Sequence, residues 1–214
     1  SEHAEVTELA AAAQQVREMA DTVSTVTKYF YFDPMLEEIS QKQYQNYQDM
    51  VSDYRNFTSF LDYGRYYNNT IAWMNIYLDN QTIVGNSRFI RVTQEMEREA
   101  WYQAAKKRNG GALWRRLPVP SAGYSALSML RMLKTKKGED VGILAVYIRP
   151  ERFQTLLRGR DCDTYVWLNG GILEADLGGT VEPDRIVGLL PDKDSGQYQQ
   201  NVFLGKEEYL MTCE

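Results

Sequence analysis

The N-terminal end of the chain contains the pattern that most restricts the fold. Apolar residues recur every three or four positions from Glu5 to about Phe30, and no glycine or proline interrupts them before Pro34. This spacing predicts a long amphipathic helix with a coiled-coil-like stripe, formed by Val6, Leu9, Ala13, Val16, Ala20 and Val23. Two interpretations remain open: the helix packs along its own domain, or it also pairs with the same helix of a second subunit.

The following region divides into a second helical segment and a β-rich module. Tyrosine-rich helical sequence runs from Pro34 to about Tyr63, so residues 1–66 are expected to be helical. Residues 67–158 then predict the order strand, strand, helix, three strands and a short helix. These elements are expected at Ile71–Asp79, Ser87–Val92, Thr93–Arg108, Ala112–Val119, Tyr124–Lys134, Val141–Ile148 and Glu151–Leu157.

Residues 159–214 predict a smaller β-rich module. Asn169-Gly170-Gly171 lies between two apolar runs and is typical of a β-hairpin turn. A short helix is expected within Val181–Leu190, and two strands, Tyr198–Leu204 and Glu208–Cys213, follow it. Antiparallel sheets with helices segregated from them predict an α+β fold.

Composition excludes several classes of protein. The chain has 214 residues, a formal charge of −5 and a single histidine, His3, in an expected frayed end, which argues against histidine-based hydrolases and histidine-rich zinc sites. Three pairs of carboxylates lie at expected element ends beside turn residues, where solvation explains them better than acid–base chemistry; they are Asp161/Asp163, Asp192/Asp194 and Glu207/Glu208. No metal or cofactor is therefore expected, and this region is expected not to be an enzyme.

Neither a membrane helix nor a signal peptide is recognisable in the sequence. No apolar run reaches the roughly 20 residues that a membrane helix needs, and the acidic N-terminus is followed by no apolar segment of signal-peptide type. Because the chain also begins without methionine, it is expected to be a piece excised from a longer protein.

The charge is unevenly distributed. Residues 1–60 have a net charge of −6 and the remainder a net charge of +1, while nine basic and no acidic residues lie between Lys106 and Lys137. Most of this basic run is interpreted as solvated surface, and nucleic-acid binding is not expected because the chain is acidic and lacks a matching motif. Arg131 differs, since it lies mid-strand among apolar residues and needs a carboxylate or an anionic ligand. Ser128, an odd number of positions away, is expected to face the other side.

Cys162 and Cys213 lie at opposite ends of the C-terminal module. If their strands are neighbours, a disulfide between them would close a long loop and stabilise the module. Two buried free thiols are the alternative.

In this order the elements resemble the extracellular double-Cache sensor region of bacterial membrane receptors, most of all the YesM-type sensor histidine kinases. The segments that carry the resemblance, besides the long helix, are Trp73–Asn80, Glu99–Ala105, Ala112–Trp114, Ser128–Arg131, Val141–Ile148 and Tyr165–Leu173. The resemblance implies one long helix packed along two PAS-like antiparallel-sheet modules. The larger, membrane-distal module would be residues 67–158 and the smaller, membrane-proximal one residues 159–214, with transmembrane helices flanking both in the full receptor.

The resemblance also implies where a ligand binds. Ligand usually lies in the distal module, between its sheet and the helix that carries Trp101 and Tyr102, although core packing is a competing interpretation of this pair. The candidate ligand-binding residues are Trp73, Trp101, Tyr102, Trp114, Tyr124 and Arg131. Amino-acid-binding members have an arginine two positions before the tryptophan, where this chain has Glu99.

The expected function is therefore that of the extracytoplasmic ligand-sensing region of a membrane-bound sensor histidine kinase. Its partner would be a small molecule or a liganded binding protein, and a homodimer would form through the N-terminal helix. One alternative keeps the fold and makes the chain the ectodomain of a chemotaxis receptor. A second alternative is a ligand-free dimerisation or protein-interaction scaffold, which a pocket filled by its own side chains would favour.

Overall fold

A computed structural model describes residues 2–66, 69–158, 163–168, 171–176, 198–204 and 207–213. The chain forms two compact units, one of Ser1–Ala20 with Glu151–Glu214 and the other of Asp21–Pro150. The domain boundaries expected after residues 66 and 158 remain a prediction. Among the described residues, no helix combines the length and the apolar character needed to cross a membrane.

The predicted N-terminal helix is present as α1 (Glu2–Lys28). The second helical region is two helices, α2 (Pro34–Gln41) and α3 (Tyr47–Tyr66). Asp33 caps α2, since its Oδ1 accepts hydrogen bonds from the backbone N–H groups of residues 35 and 36 at 2.9 and 3.0 Å. Helix α2 ends before Lys42, whose backbone is extended, and α3 therefore forms a separate helix.

The larger unit is built on a five-stranded sheet with strand order β2-β1-β5-β4-β3. The strands are β1 (Ile71–Leu78), β2 (Phe89–Arg91), β3 (Leu113–Pro118), β4 (Ser125–Lys134) and β5 (Asp140–Ile148). All neighbouring pairs are antiparallel except β1 and β2, which are parallel. The sheet is therefore mixed and not wholly antiparallel as expected, because the ten residues after β1 carry the chain back only to the level of Ile76, and β2 then runs beside the last three residues of β1 in the same direction.

The single helix predicted at Thr93–Arg108 is two short helices, α4 (Gln94–Arg98) and α5 (Ala100–Lys107). Thr93, at the expected start of this helix, caps α4, and its Oγ1 accepts a hydrogen bond from the Met96 N–H at 3.2 Å. Glu99 separates the helices because its ψ of 138° is extended rather than helical. The spacing of apolar residues continues across Glu99 and therefore did not predict this break.

The face of the sheet toward α2 and α3, here called the helical face, is apolar apart from arginines on β3 and β4. Alternation along the strands gives it Met74, Ile76, Phe89, Met129, Leu144 and Val146, all of which are buried. Phe57 of α3 packs on it, with its ring 5.5 Å from that of Phe89 and 6.0 Å from that of Phe30. These helices therefore cover one face and leave the other to α5.

The smaller unit contains α6 (Pro150–Leu157) and two antiparallel hairpins. The hairpins pair β6 (Thr164–Leu168) with β7 (Gly171–Asp176), and β8 (Tyr198–Leu204) with β9 (Glu207–Cys213). These strands match the expected ones, whereas the helix expected within Val181–Leu190 and the Cys162 side of the disulfide question lie outside the described residues. A PAS-like proximal module remains a prediction.

Candidate ligand site on the α5 face of the sheet

The face of the sheet opposite the helical face is here called the α5 face. Cross-strand pairing arranges its side chains in rows that run across the strands. Three successive rows are described, each with its residues in the order β1, β5, β4 and β3. The first row is Trp73, Tyr147, Ser128 and Arg115; the middle row is Asn75, Ala145, Leu130 and Leu113; the third is Tyr77, Ile143 and Met132. The aromatic side chains of these rows all lie on β1 and its neighbour β5, and Asn75 lies among them.

Helix α5 covers this face with two aromatic side chains and one small one. Tyr102 is 4% exposed and Ala105 is fully buried against the sheet, while Trp101 is only partly buried. The Trp101 ring lies 5.1 Å from that of Tyr77 and 5.6 Å from that of Tyr102. Trp101 thus lies over β1 and remains accessible from outside.

Tyr77 and Tyr147 meet above the middle row. Tyr77 pairs with Ile143, four residues before Tyr147, so the two tyrosines start about 13 Å apart along the strands. Their hydroxyl oxygens are nevertheless 3.2 Å apart, so the side chains lean toward each other over Asn75 and Ala145. The pair has two hydroxyl protons and this bond uses one, which leaves one O–H donor for another acceptor.

Asn75 is a polar residue without a partner inside this apolar face. It is 0% exposed, and neither its Oδ1 nor its Nδ2 has a hydrogen-bond partner among the described residues. Buried amides are normally hydrogen-bonded, so the side chain has unused capacity for two donated bonds and at least one accepted bond.

Trp73 closes the β1 end of the face and is held from two sides. Its Nε1 donates to the carbonyl of Ser87 at 3.1 Å, and the Arg88 guanidinium lies 3.5 Å from the ring centroid. Arg88 is buried, donates to the carbonyl of Met74 at 2.9 Å and forms an ion pair with Asp62. The indole therefore has a defined orientation.

Arg115 is the charged side chain of the first row, and it stands on β3. Its Nη1 donates to the carbonyl of Trp114 at 2.7 Å, and burial together with nearby Arg108 lowers the pKa of Arg115. Two strands, β4 and β5, lie between it and the aromatic side chains of β1.

Burial shifts the pKa of two phenols of this site. Burial raises the pKa of Tyr102 to about 12, and the carboxylates of Asp79, Glu97 and Asp140 act in the same direction. Burial also raises the pKa of Tyr147, with a further contribution from Tyr77. Both phenols are therefore neutral hydrogen-bonding groups at physiological pH. Among the described residues, no three histidine, cysteine or acidic side chains lie close enough to share a metal ion.

The structure brings together three of the six residues singled out from the sequence. Trp73, Trp101 and Tyr102 lie on the α5 face. Trp114 is 7% exposed and pairs with Met129, which puts it on the helical face. Tyr124 is 45% exposed in the turn between β3 and β4, directly before the first residue of β4.

Arg131 lies on the helical face and contacts α1. Its Nε donates to Thr27 Oγ1 at 3.0 Å, its Nη2 to Ser24 Oγ at 3.1 Å and its Nη1 to the carbonyl of Gly110 at 2.7 Å. Burial lowers its pKa, and nearby Tyr31 partly offsets this. Three neutral oxygens thus take the position where a carboxylate or an anionic ligand was expected, while Ser128 faces the other side as the odd spacing predicted.

Sequence reasoning missed Asn75, Tyr77 and Tyr147 as site residues. A signal for them was present, because Trp73, Asn75 and Tyr77 alternate along β1 and so share one face, with a polar residue in an otherwise apolar strand. The partner strand and its register, which add Tyr147, are not encoded in that local pattern.

The fold is that of the ligand-binding sensory domains of a bacterial chemoreceptor. Three similar solved structures are sensory domains of the Campylobacter jejuni chemoreceptor Tlp3, in complex with isoleucine, L-valine and 4-methylisoleucine. Identity is 17% for the isoleucine and L-valine complexes, with a TM-score of 0.56, coverage of 96% of this chain and 84% of theirs. The 4-methylisoleucine complex is 16% identical, with a TM-score of 0.53 and coverage of 96% and 82%.

Sequence comparison adds no family to this likeness in fold. No protein-family model matches the chain, and no curated protein matches it in sequence.

Proposed function

We propose that this chain is the extracytoplasmic ligand-sensing region of a transmembrane bacterial receptor, and that it binds a small molecule on the α5 face of the five-stranded sheet. The observation that carries the proposal is the position of Trp101, partly exposed and 5.1 Å from Tyr77, over a sheet face whose aromatic side chains surround an unpaired amide. The likeness in fold to sensory domains that were solved with bound small molecules supports it.

The chain itself is proposed to be non-catalytic and to act by changing conformation. Ligand on the α5 face would favour one of two arrangements of this unit, and α1 would pass the difference toward the membrane. Arg131 supports this route because it hydrogen-bonds both the turn that follows α5, at Gly110, and two residues of α1, Ser24 and Thr27.

A thermal-shift screen with the purified chain tests the proposal. Branched-chain amino acids, sugars, organic acids and amides are screened, and binding is then quantified by titration calorimetry. At least one compound should raise the melting temperature, and Trp101→Ala should weaken its binding at least tenfold, about 1.4 kcal/mol. Tyr124→Ala, an aromatic truncation in the β3–β4 turn, is the control and should leave the affinity unchanged.

The opposite outcome favours a ligand-free scaffold. If no compound shifts the melting temperature, and Trp101→Ala leaves signalling by the full receptor intact, direct sensing is wrong.

The output of the full receptor is proposed to be that of a sensor histidine kinase. A chemotaxis receptor is the second candidate, and the likeness to Tlp3 favours it at the level of the fold. ATP-dependent phosphorylation of a histidine in the membrane-embedded receptor, changed by ligand, would support the kinase. Ligand-dependent chemotaxis without such phosphorylation would support the alternative.

A further inference from the structure

We infer that Asn75 is the polar recognition residue of this site, and that the ligand is a small uncharged molecule with an apolar or aromatic body and a carboxamide-like edge. That edge would donate a hydrogen bond to Asn75 Oδ1 and accept one from Asn75 Nδ2. The inference rests on the proposed function and names the chemical class that the site recognises.

The first argument is the contrast between two buried asparagines of the same unit. Asn80 is 5% exposed, and its Nδ2 donates to the carbonyls of Ile39 and Lys42 while its Oδ1 accepts from the N–H and the hydroxyl of Thr82. Asn75 is more deeply buried and has none of these bonds. A buried amide without hydrogen bonds lowers the free energy of unfolding, so a partner from outside the chain would explain why an asparagine occupies this position.

The second argument is the direction in which Asn75 points. It lies in the middle row of the α5 face, between Trp73 and Tyr77 on its own strand and opposite Ala145. Alanine is the smallest side chain of that row, so the amide is flanked by flat aromatic walls rather than by a bulky neighbour. The hydroxyls of Tyr77 and Tyr147 meet above it and supply one further O–H donor.

The third argument concerns charge. Every other member of the middle row is apolar. Arg115 stands on β3, with β5 and β4 between it and Asn75, and the guanidinium of Arg88, which lies against Trp73, is already paired with Asp62. A carboxylate at Asn75 would therefore be buried without an uncommitted countercharge. An amide edge has no such cost and matches both the donor and the acceptor of the asparagine.

The experiment compares matched probes on one protein. Benzamide, nicotinamide and indole-3-acetamide are titrated into the purified chain, together with benzoate, nicotinate and indole-3-acetate, and with benzylamine as the cationic probe. At least one amide should raise the melting temperature and bind at least tenfold more tightly than its acid. Equal or tighter binding of the acids or of benzylamine, or no stabilisation by any amide, would overturn the assignment.

Variants then separate recognition from folding. Asn75→Leu should weaken the amide at least tenfold while the melting temperature of the free chain stays the same or rises, because an unpaired polar group has been removed. Asn80→Leu is the matched control: its melting temperature should fall because four bonds are lost, and its affinity for the amide, measured where it is folded, should not change. If Asn75→Leu does not fold, Asn75→Ala takes its place.

Retention of amide affinity in the Asn75 variants would overturn the inference. If Trp101→Ala abolishes binding of a compound that the Asn75 variants still bind, the proposed function stands and the role of Asn75 fails. If nothing in either set of compounds binds the unmodified chain, the proposed function fails as well.

Discussion

At the scale of single residues, identity alone does not decide what a polar side chain does. Asn75 and Asn80 are the same residue type five positions apart in an apolar stretch, yet one is unpaired and the other satisfies the end of α2. Their difference comes from residues far along the chain. Arg131 is similar, since its partners Ser24 and Thr27 precede it by more than a hundred positions.

The pH dependence of stability is predicted at this scale from Tyr102. Its pKa of about 12 in the folded chain exceeds the ordinary value of about 10, so the folded state keeps a proton that the unfolded state releases between these pH values. The free energy of unfolding should be unaffected by this group below pH 10 and should fall as the pH rises to 12. Urea denaturation at pH 9, 10, 11 and 12 measures the decline, which Tyr102→Phe should reduce. Identical pH profiles for the two proteins would contradict the prediction.

At the scale of elements, most helices and strands follow from local signals. Asp33-Pro34 and Thr93 begin helices as their cap positions predict, and Asn109-Gly110, both with positive φ, ends α5. The break at Glu99 and the parallel placement of β2 were missed. Both features depend on how the segments next to them pack on the sheet, and the periodicity of apolar residues carries no information about this packing.

Arg131 connects three elements, and its loss should destabilise the unit. Arg131→Met keeps an apolar stem but removes hydrogen bonds to α1 and to the turn after α5, so the free energy of unfolding should fall by about 1–3 kcal/mol. Arg116→Met, an exposed arginine on β3, is the control and should change it by less than about 0.5 kcal/mol. Equal effects in chemical denaturation would show that the contacts of Arg131 contribute nothing specific.

Gly142 is predicted to be required for the pairing of β5 with β1. A Cβ at this position would collide with the backbone carbonyl of Tyr77 and approach Leu78 Cδ2 to 3.0 Å. The backbone of a strand inside a sheet cannot move far enough to relieve this collision without breaking its hydrogen bonds. Gly142→Ala should therefore cost about 1–3 kcal/mol. Gly85→Ala, where the nearest atoms are 3.8 Å away, should be close to neutral. A thermal melt of both variants tests the contrast, and a neutral Gly142→Ala would refute it.

At the scale of the whole molecule, self-association through α1 remains a prediction. Of the side chains of α1 that the structure describes, from Val6 onward, Ala12, Met19, Val23 and Thr27 are buried, while Leu9, Val16 and Ala20 of the predicted stripe are only partly buried. Val16→Glu should weaken a dimer at least tenfold because it sets a charge into the seam, whereas Gln15→Glu on the exposed side should not. Sedimentation equilibrium measures both, and a monomeric unmodified chain at all concentrations would contradict the prediction.

The sequence by itself determined the α+β class, the long first helix, nearly all strands of the larger sheet and the grouping of Trp101 with Tyr102, because periodicity, caps and turn residues act within a few positions. Alternation in the sequence groups the side chains of one strand on a common face, but tertiary structure alone decided which layer that face meets and which side chains of other strands join it. Because of the cross-strand register, Arg131 and Trp114 lie on the helical face. The same register places Tyr147 beside Trp73, Asn75 and Tyr77 on the α5 face. Register depends on contacts between residues up to 77 positions apart, as for Ile71 and Ile148, and no local pattern contains them.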